Sequence, residues 1–287
     1  MSNGSVVVCG LPAAGKTTYL AALWEVLQDG GPSTQLQMAS RDHDDYRYVR
    51  KIHKRWIEGV RQERTEGPDR EAVGLDMTDG TGGAFTLRFP DLGGEVFTQL
   101  WEERTCDTEI ADMLSTRRGV MLFVHADKIT QPRHLIDELN DSAEMGDATS
   151  IGEALPFAPR LAPCQVKIVD LLQMMTSRHI NAPPGNLAII LSAWDRVSVG
   201  DLTPEQHLAT QMPLLDQYLK AGGDGWRPAI FGVSAQGTDY VKREHPGDLP
   251  QSLVDICKLR KPHERIRVVS NCVEDHDLTR PIAWVVS

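Results

Sequence analysis

A short segment near the N-terminus restricts the possible folds of this chain more than any other feature. Residues 10–17 read Gly-Leu-Pro-Ala-Ala-Gly-Lys-Thr and satisfy the pattern G-x-x-x-x-G-K-[ST]. A β-branched run at residues 5–10 leads into the first glycine, and the spacing of apolar residues at 16–27 predicts a helix after the last one. A strand, a glycine-containing loop and a helix in this order predict a site for phosphate groups.

The residue types in this loop suit the phosphates of a nucleotide. Glycine permits a tight turn with inward amides, and the helix N-terminus adds partial positive charge. Lys16 is expected to contact the β- and γ-phosphates as a catalytic group, and the Thr17 hydroxyl is expected to bind Mg²⁺. The candidate nucleotide contacts of the loop are Pro12, Ala13, Ala14, Gly15, Lys16, Thr17 and Thr18. The loop does not determine the base, so an ATP-dependent phosphotransferase is an alternative.

Beyond this loop, short apolar runs alternate with stretches of helical periodicity. The runs predict buried strands at residues 84–89, 119–125, 187–191 and 229–233. The periodic stretches predict helices at residues 44–58, 164–179 and 204–219. Residues 63–83 are rich in Gly, Asp and Thr and predict a loop. The alternation predicts an α/β fold with a mostly parallel sheet and helices on both faces.

The chain length is compatible with one large domain. Its 287 residues lie near the upper size of a single hydrophobic core, and we expect one enlarged domain over residues 1–287. Insertions are expected at about residues 40–62 and 128–163, and a C-terminal extension at about residues 245–287.

Net charge and cysteine content narrow the functional classes. The formal net charge of −10 disfavours general binding to nucleic acid or to anionic membranes, because both need a basic surface. The five scattered cysteines include no C-x-x-C pair, which predicts free thiols in a reducing compartment. No apolar stretch approaches the roughly 18 residues that span a bilayer. We therefore expect a cytoplasmic protein without a membrane anchor.

Residues 89–95, Phe-Pro-Asp-Leu-Gly-Gly-Glu, follow a predicted strand and resemble the D-x-x-G element of Ras-like GTPases. The resemblance implies that Asp91 holds Mg²⁺ through a water molecule and that the Gly94 amide bonds the γ-phosphate. Glu95 stands where Ras-like proteins usually carry the glutamine that orients the attacking water. A carboxylate can accept a hydrogen bond from this water, but it adds negative charge beside the phosphates. Glu95 is therefore a candidate catalytic residue, and hydrolysis is expected to be slow or to need a partner.

A later segment, residues 191–195, resembles the N-K-x-D element that recognises guanine. Asp195 is retained, whereas Ser192 and Ala193 replace the Asn and the Lys. The Asp195 carboxylate can accept hydrogen bonds from the N1–H and the exocyclic amine of guanine, a pattern that adenine does not present. Trp194, its neighbour, is included among the candidate nucleotide contacts.

Residues 233–237 follow the next predicted strand and resemble the S-A-K element. The resemblance implies that a backbone amide of this loop meets the O6 oxygen of guanine, with Ser234, Ala235 and Gln236 as candidate contacts. The four elements follow one another in order, and each lies at the predicted carboxyl end of a strand, where ligands bind in such sheets. Their order favours guanine over adenine.

A threonine that binds Mg²⁺ is expected in the loop before Asp91. Thr65 is the candidate, both as a metal ligand and as a catalytic group, because it follows the helix predicted at 44–58. Thr78 is the alternative. The helix at 44–58 is rich in Arg and Lys, which indicates either a solvated face or the surface for a protein partner.

From residue 5 to residue 237 the chain resembles the Ras-like, TRAFAC-type branch of P-loop GTPases, and we expect it to share their three-layer fold. Residues 277–284, Asp-Leu-Thr-Arg-Pro-Ile-Ala-Trp, resemble the end of bacterial double-GTPase proteins from predicted conflict systems. The resemblance implies binding of GTP and GDP with Mg²⁺, hydrolysis of GTP, and a molecular switch that acts through a protein effector or activating partner. Two alternatives stay open: the phosphotransferase, and a binding module that holds nucleotide for stability with negligible hydrolysis.

Overall fold

The fold is described by a computed structural model that covers residues 4–28, 33–39, 46–62, 72–79, 81–132, 158–197, 202–241 and 249–287. Within these ranges nine strands form one sheet. The strands are β1 (Ser5–Gly10), β2 (Leu36–Met38), β3 (Val73–Asp79), β4 (Ala84–Phe89), β5 (Arg117–His125), β6 (Asn186–Ser192), β7 (Arg227–Ser234), β8 (Arg267–Ser270) and β9 (Val273–Asp275).

The middle of the sheet is parallel and its two edges are antiparallel. The strand order is β2-β3-β4-β1-β5-β6-β7-β8-β9, and the four pairings between β4 and β7 are parallel. The inner strands β1, β5 and β6 are nearly continuous buried runs, as expected for strands that helices cover on both faces. The α/β class predicted from the sequence is confirmed.

The helices lie between these strands and after them. They are α1 (Lys16–Val26), α2 (Arg47–Ile57), α3 (Glu95–Glu103), α4 (Thr108–Ser115), α5 (Cys164–Thr176), α6 (Pro204–Gln211), α7 (Pro213–Lys220), α8 (Gln251–Cys257) and α9 (Arg280–Val286). In the described ranges, no helix combines the length and the apolar character needed to cross a membrane.

Two apolar cores, one on each face of the sheet, produce the three layers. On one face α1, α2 and α9 pack against the strands through side chains such as Leu20, Trp56 and Ile282. On the other face α3, α5, α6 and α7 do so, for example through Phe97 and Leu172. Removal of these side chains from water is the main stabilising contribution to such a fold.

The prediction of a loop at residues 63–83 is wrong for its second half, because β3 occupies Val73–Asp79. Every second residue from Val73 to Met77 is buried, which is the period of a strand with one face on the core. Gly74 and Asp76, at the outward positions, belong to residue types that are depleted in strands and therefore concealed the alternation.

The prediction of one helix at residues 204–219 is also wrong, because α6 ends at Gln211 and α7 begins at Pro213. Proline lacks the N–H that a helix interior requires, and its ring clashes with the preceding turn. The residue before proline is also displaced from helical geometry, and Met212 accordingly has a φ of −136°. The chain therefore starts a new helix at this proline.

The C-terminal residues that resemble the ends of double-GTPase proteins join several elements. The Asp277 carboxylate accepts hydrogen bonds from the backbone N–H groups of Thr279 and Gln35, over 2.8 and 3.0 Å. The Tyr19 hydroxyl of α1 donates to the Leu278 carbonyl oxygen over 2.5 Å. These bonds fasten the start of α9 to α1 and to the chain before β2, so this motif has a structural role.

Candidate functional site

The phosphate loop connects β1 to α1 at the carboxyl edge of the parallel strands. Ala13 and Gly15 have positive φ angles of 60° and 94°, so the chain turns tightly before α1 begins at Lys16. A Cβ atom at Gly15 would lie 2.8 Å from the hydroxyl oxygen of Ser192, so a larger residue does not fit. The first amides of α1 have no partner within the helix and supply donors for an anion.

Lys16 is almost completely buried, with 2% of its surface exposed. Its Nζ atom donates hydrogen bonds to the carbonyl oxygens of Gly10, over 2.7 Å, and Leu11, over 3.3 Å. Burial lowers the pKa of Lys16 from 10.5 to about 8, while the charges of Asp91 and Glu95 oppose this lowering. The ammonium group is thus held against the loop backbone, where an incoming phosphate would stabilise its charge.

The segment from Asp91 to Gly94 lies directly against the phosphate loop. A Cβ atom at Gly94 would come within 2.6 Å of the Pro12 nitrogen, 2.8 Å of the Leu11 carbonyl carbon and 2.9 Å of Lys16 Nζ. Gly94 also has a φ of 91° and immediately precedes α3. The close approach and the positive φ both require glycine. The two segments that the sequence motifs identify are therefore in contact.

Asp91 and Thr17 provide oxygen atoms that fit a bound Mg²⁺. Asp91 is 2% exposed, and its Oδ2 atom accepts a hydrogen bond from the backbone N–H of Val96 over 2.6 Å. Among the described residues, no hydrogen bond involves Asp91 Oδ1 or the Thr17 hydroxyl. Carboxylate and hydroxyl oxygens are suitable ligands for Mg²⁺, directly or through water. These two residues could hold an ion that also contacts nucleotide phosphates.

Glu95 is the first residue of α3, and its side chain folds back over Gly93. A Cβ atom at Gly93 would overlap the Glu95 carboxylate. The same carboxylate contributes to the electrostatic environment of Lys16. Glu95 therefore lies near the phosphate loop, and its action on a water molecule stays a prediction.

Ser192 joins the end of β6 to the phosphate loop. Its hydroxyl donates a buried hydrogen bond of 2.7 Å to the carbonyl oxygen of Ala14. The next residue, Ala193, has a φ of 54° and leads the chain into a single 3-10 turn at Trp194–Arg196. The serine in place of the motif's asparagine thus connects the turn that carries Asp195 to the phosphate loop.

Asp195 is half-buried within this turn, and no hydrogen bond of its carboxylate occurs within the described ranges. The neighbouring Arg196 forms ion pairs with Asp127 and Asp239, each over 2.5 Å. These pairs connect the turn to the 3-10 turn that follows β5 and to the chain after β7. The Asp195 carboxylate is therefore available to a ligand.

The Trp194 side chain belongs to the core. It is 2% exposed, stacks edge-on against His207 and lies so close to Gly232 that a Cβ atom there would meet the indole at 2.6 Å. This burial does not support a contact between the indole and a base. A contribution of Trp194 to nucleotide binding would have to come from its backbone.

The loop after β7 is held both by its own residues and by α2. Ser234 is fully buried, and its hydroxyl oxygen accepts a hydrogen bond from the Gly237 backbone N–H over 3.3 Å. The Ala235 carbonyl oxygen accepts a hydrogen bond of 2.8 Å from the indole N–H of Trp56. A helix outside the four motif segments therefore contacts the proposed base loop.

The remaining candidate contacts lie in the same two loops. Pro12 and Ala13 are exposed, Ala14 is buried, and Thr18 is half-buried at the start of α1. Gln236 is half-buried, and its side-chain amide donates to the Thr238 carbonyl oxygen over 2.8 Å.

Comparison with known protein families shows to which family the chain belongs. The family model of Double-GTPase 1 matches residues 7–285. The chain belongs to the Double-GTPase 1 family. The prediction of a Ras-like P-loop GTPase related to double-GTPase proteins is confirmed. Membership in a GTPase family implies that the chain binds guanine nucleotides.

Several solved structures resemble this family member at low identity. The Arl6 BBS3 small GTPase from Trypanosoma brucei with bound GppNp is 16% identical, with a TM-score of 0.39 over 82% of this chain and 88% of that one. The S. cerevisiae Ski7 GTPase-like domain bound to GDP and inorganic phosphate is 14% identical, with a TM-score of 0.41 over 88% and 48%. The signal recognition particle receptor SRb-GTP/SRX complex from Chaetomium thermophilum is 16% identical, with a TM-score of 0.39 over 86% and 94%. No curated protein matches the chain.

Thr78, the alternative metal-binding threonine of this Double-GTPase 1 chain, lies at the wrong end of β3. Val73 pairs with Phe89, next to the phosphate loop, whereas Thr78 pairs with Ala84. Five residues of strand at about 3.4 Å each place Thr78 about 17 Å from that edge. The alternative is therefore wrong. Thr65 lies outside the described residues and stays a prediction.

Two contacts of the site were not predicted from the sequence. The sequence did contain a sign of the bond from Ser192 to Ala14, because serine is a polar residue at the motif position of asparagine. The sequence contained no sign of the bond from Trp56 to Ala235, because the two residues are 179 positions apart and Trp56 fits the apolar face of a helix. Only the folded chain brings them together.

Proposed function

We propose that this chain binds GTP and GDP together with Mg²⁺, hydrolyses GTP, and acts as a molecular switch that engages a protein partner. The observation that supports this proposal is the contact of Gly94 with the phosphate loop near Lys16. A γ-phosphate held by Lys16 would meet the Gly94 amide, and its loss on hydrolysis would remove that bond. The segment from Asp91 into α3 would then change its order or position.

Each group in the site has a proposed role within one enlarged G domain. Lys16 stabilises the charge that develops on the β- and γ-phosphate oxygens as water attacks the γ-phosphorus and GDP leaves. Bound Mg²⁺ would neutralise further phosphate charge, held by Thr17, Asp91 and Thr65. Glu95 accepts a hydrogen bond from the attacking water, but its own charge keeps intrinsic hydrolysis slow, so a partner accelerates it.

In this proposal the base is selected by the turn of Asp195 and by the loop after β7. Asp195 accepts hydrogen bonds from the N1–H and the amine of guanine, and the loop of Ser234, Ala235 and Gln236 offers backbone amides. The free carboxylate of Asp195 in the described ranges supports this assignment.

The exposed face of α2 is the proposed partner surface. Four basic residues lie on it at helical spacing and are exposed: Arg47, Arg50, Lys51 and Lys54. In a chain with a net charge of −10, this stripe would attract a partner with an acidic surface.

Nucleotide binding and turnover in Lys16 variants test the proposal. Wild type should bind GDP with Mg²⁺ and release phosphate from GTP, whereas Lys16→Ala and Lys16→Met should bind at least about 100-fold more weakly by calorimetry. Lys220→Ala, at an exposed lysine paired with Asp216, is the control and should bind as wild type does. Undiminished affinity in both Lys16 variants would exclude the assignment. Consumption of ATP only with an acceptor would favour the phosphotransferase.

Hydrogen exchange separates a switch from a module that only stores nucleotide. The GDP complex and the complex with non-hydrolysable GTP should differ in amide protection at residues 94–105 and in the chain between residues 62 and 73. Equal protection in the two complexes would support the storage module and reject the switch.

A further inference from the structure

The inserted helix α2 holds the loop to which the proposed function assigns the base. The Trp56 indole N–H donates to the Ala235 carbonyl oxygen over 2.8 Å, and Trp56 is completely buried. The bond is partly buried, and loss of its donor would leave the Ala235 oxygen without this partner. The position of Ala235 therefore depends on α2.

An arginine fixes the indole in turn. The Arg265 guanidinium lies over the Trp56 ring, 4.2 Å from its centroid. Its Nη1 atom donates to the Trp56 backbone carbonyl over 3.1 Å and to the Tyr240 hydroxyl oxygen over 2.9 Å, and its Nε atom donates to the Pro262 carbonyl over 3.0 Å. Arg265 is 5% exposed. Rotation of the ring away from Ala235 would therefore cost its contact with this buried guanidinium, which the hydrogen bonds hold in place.

A second link lies a few residues further along both segments. Val60, just beyond α2, forms a parallel bridge with Val241, and the Arg61 backbone N–H donates to the Val241 carbonyl oxygen over 2.8 Å. The chain after α2 and the chain after the base loop are thus held side by side, so α2 cannot shift independently of the loop.

The Trp56 contact also orients the next amide. The described peptide bonds are trans, so the C=O of Ala235 and the N–H of Gln236 point in opposite directions within one plane. With the Ala235 oxygen directed at α2, the Gln236 N–H points away from this helix. Within the described part of the chain this N–H has no backbone acceptor.

We propose that Trp56 is a positioning residue for base selection: by holding the Ala235 carbonyl, it presents the Gln236 amide to the O6 oxygen of guanine. This inference rests on the proposed function and deepens it, because it places selectivity on a helix outside the four motif segments. Adenine carries an amine instead of O6, and an amine offers no acceptor to the Gln236 N–H.

The test removes the indole N–H and keeps the ring. Trp56→Phe does so with a smaller ring, and benzothienylalanine at position 56 does so with an isosteric ring in which sulfur replaces the N–H. Trp101→Phe is the matched control, since Trp101 is buried, donates its indole N–H to Pro159 over 3.0 Å and carries Arg104 on its ring. Calorimetry on the full chain gives the affinities for GDP, IDP, ADP and magnesium pyrophosphate.

Both changes at position 56 should lower the affinity for GDP and IDP about tenfold, because both bases carry O6. The affinities for ADP and pyrophosphate should not change, and Trp101→Phe should keep the wild-type ratio of GDP to ADP affinity. An unchanged ratio with the isosteric replacement, or an equal loss for pyrophosphate, overturns the inference while the proposed function stands. A wild type without preference for GDP over ADP overturns the guanine specificity and this inference together.

Discussion

The proposed phosphate side and the proposed base side of the site are built in different ways. On the phosphate side Lys16 and Asp91 are each 2% exposed, and the glycines near them, Gly15 and Gly94, have positive φ angles. On the base side Asp195 and Gln236 are half-buried, and the loop is held from outside by Trp56. In the proposed function, phosphate recognition therefore rests on local backbone geometry, whereas base recognition rests on contacts between distant segments.

This difference predicts different responses to substitution. On the phosphate side there is no space for a side chain at Gly94, because backbone atoms of Leu11 and Pro12 would lie within 3 Å of its Cβ atom. A side chain removed on the base side leaves the loop in place but less well oriented. The Ser192 hydroxyl, bonded to Ala14, is where the two sides meet.

Gly94→Ala should have the largest effect. Its Cβ atom would lie 2.6 Å from the Pro12 nitrogen, so the segment must move away from the phosphate loop. A displacement of this size should lower the rate of GTP hydrolysis at least about 100-fold, measured as phosphate release. GDP affinity should fall less, because no γ-phosphate contact is involved.

Gly82→Ala is the matched control for this substitution. Gly82 has a φ of +86°, close to that of Gly94, but no heavy atom lies within 4 Å of its added Cβ. The backbone strain is therefore similar and the clash is absent, so hydrolysis should stay at the wild-type rate. Equal losses in the two variants would contradict a specific contact at Gly94.

The same difference explains what the sequence could reveal. The phosphate loop and Gly94 were predictable because glycine and lysine at fixed spacing are required by backbone geometry within a few residues. Trp194 stays a candidate nucleotide contact through its backbone only, because its position in the motif does not tell which way the indole points, and the indole lies in the core.

The remaining features of the site could not be predicted, because they depend on contacts between residues far apart in the sequence. Trp56 fits the apolar period of α2. That period predicts that the side chain is buried, but it does not identify the residue that the side chain contacts. Thr78 is a candidate only if residues 63–83 form a loop, and β3 occupies part of this range. Because β3 pairs with β4 in antiparallel register, Thr78 lies at the end of these strands that is opposite the phosphate loop.

Asp195→Asn should have the second largest effect, confined to the base side. The amide donates where the carboxylate accepts, so GDP affinity should fall about 50-fold while affinity for xanthosine diphosphate rises. Competition binding with the two diphosphates measures this exchange. Asp239→Asn, which weakens only an exposed pair with Arg196, should change GDP affinity less than about threefold. A fall in GDP affinity without a gain for the xanthine nucleotide would assign Asp195 a structural role.

The smallest effect is a dependence on pH that only the phosphate side should produce. Burial lowers the pKa of Lys16 to about 8, and phosphate oxygens beside the ammonium group should raise it again. Below this pH, Lys16 is protonated before and after binding, so GDP affinity should be constant. Above it, the free protein must take up a proton to bind, so affinity should fall by up to about tenfold per pH unit. Calorimetry in buffers of different ionisation enthalpy measures this proton uptake directly.

Two variants assign the pH dependence to one side of the site. Lys16→Arg keeps its charge throughout this range, so its GDP affinity, although weaker, should not change with pH. Trp56→Phe leaves Lys16 unchanged and should show the same fall with pH as wild type from a lower starting affinity. The measurements should stay below the pH at which guanine loses the N1 proton that is proposed to face Asp195. A flat profile in wild type would mean that Lys16 keeps its proton without nucleotide. An equal fall in Lys16→Arg would place the titrating group elsewhere in the site.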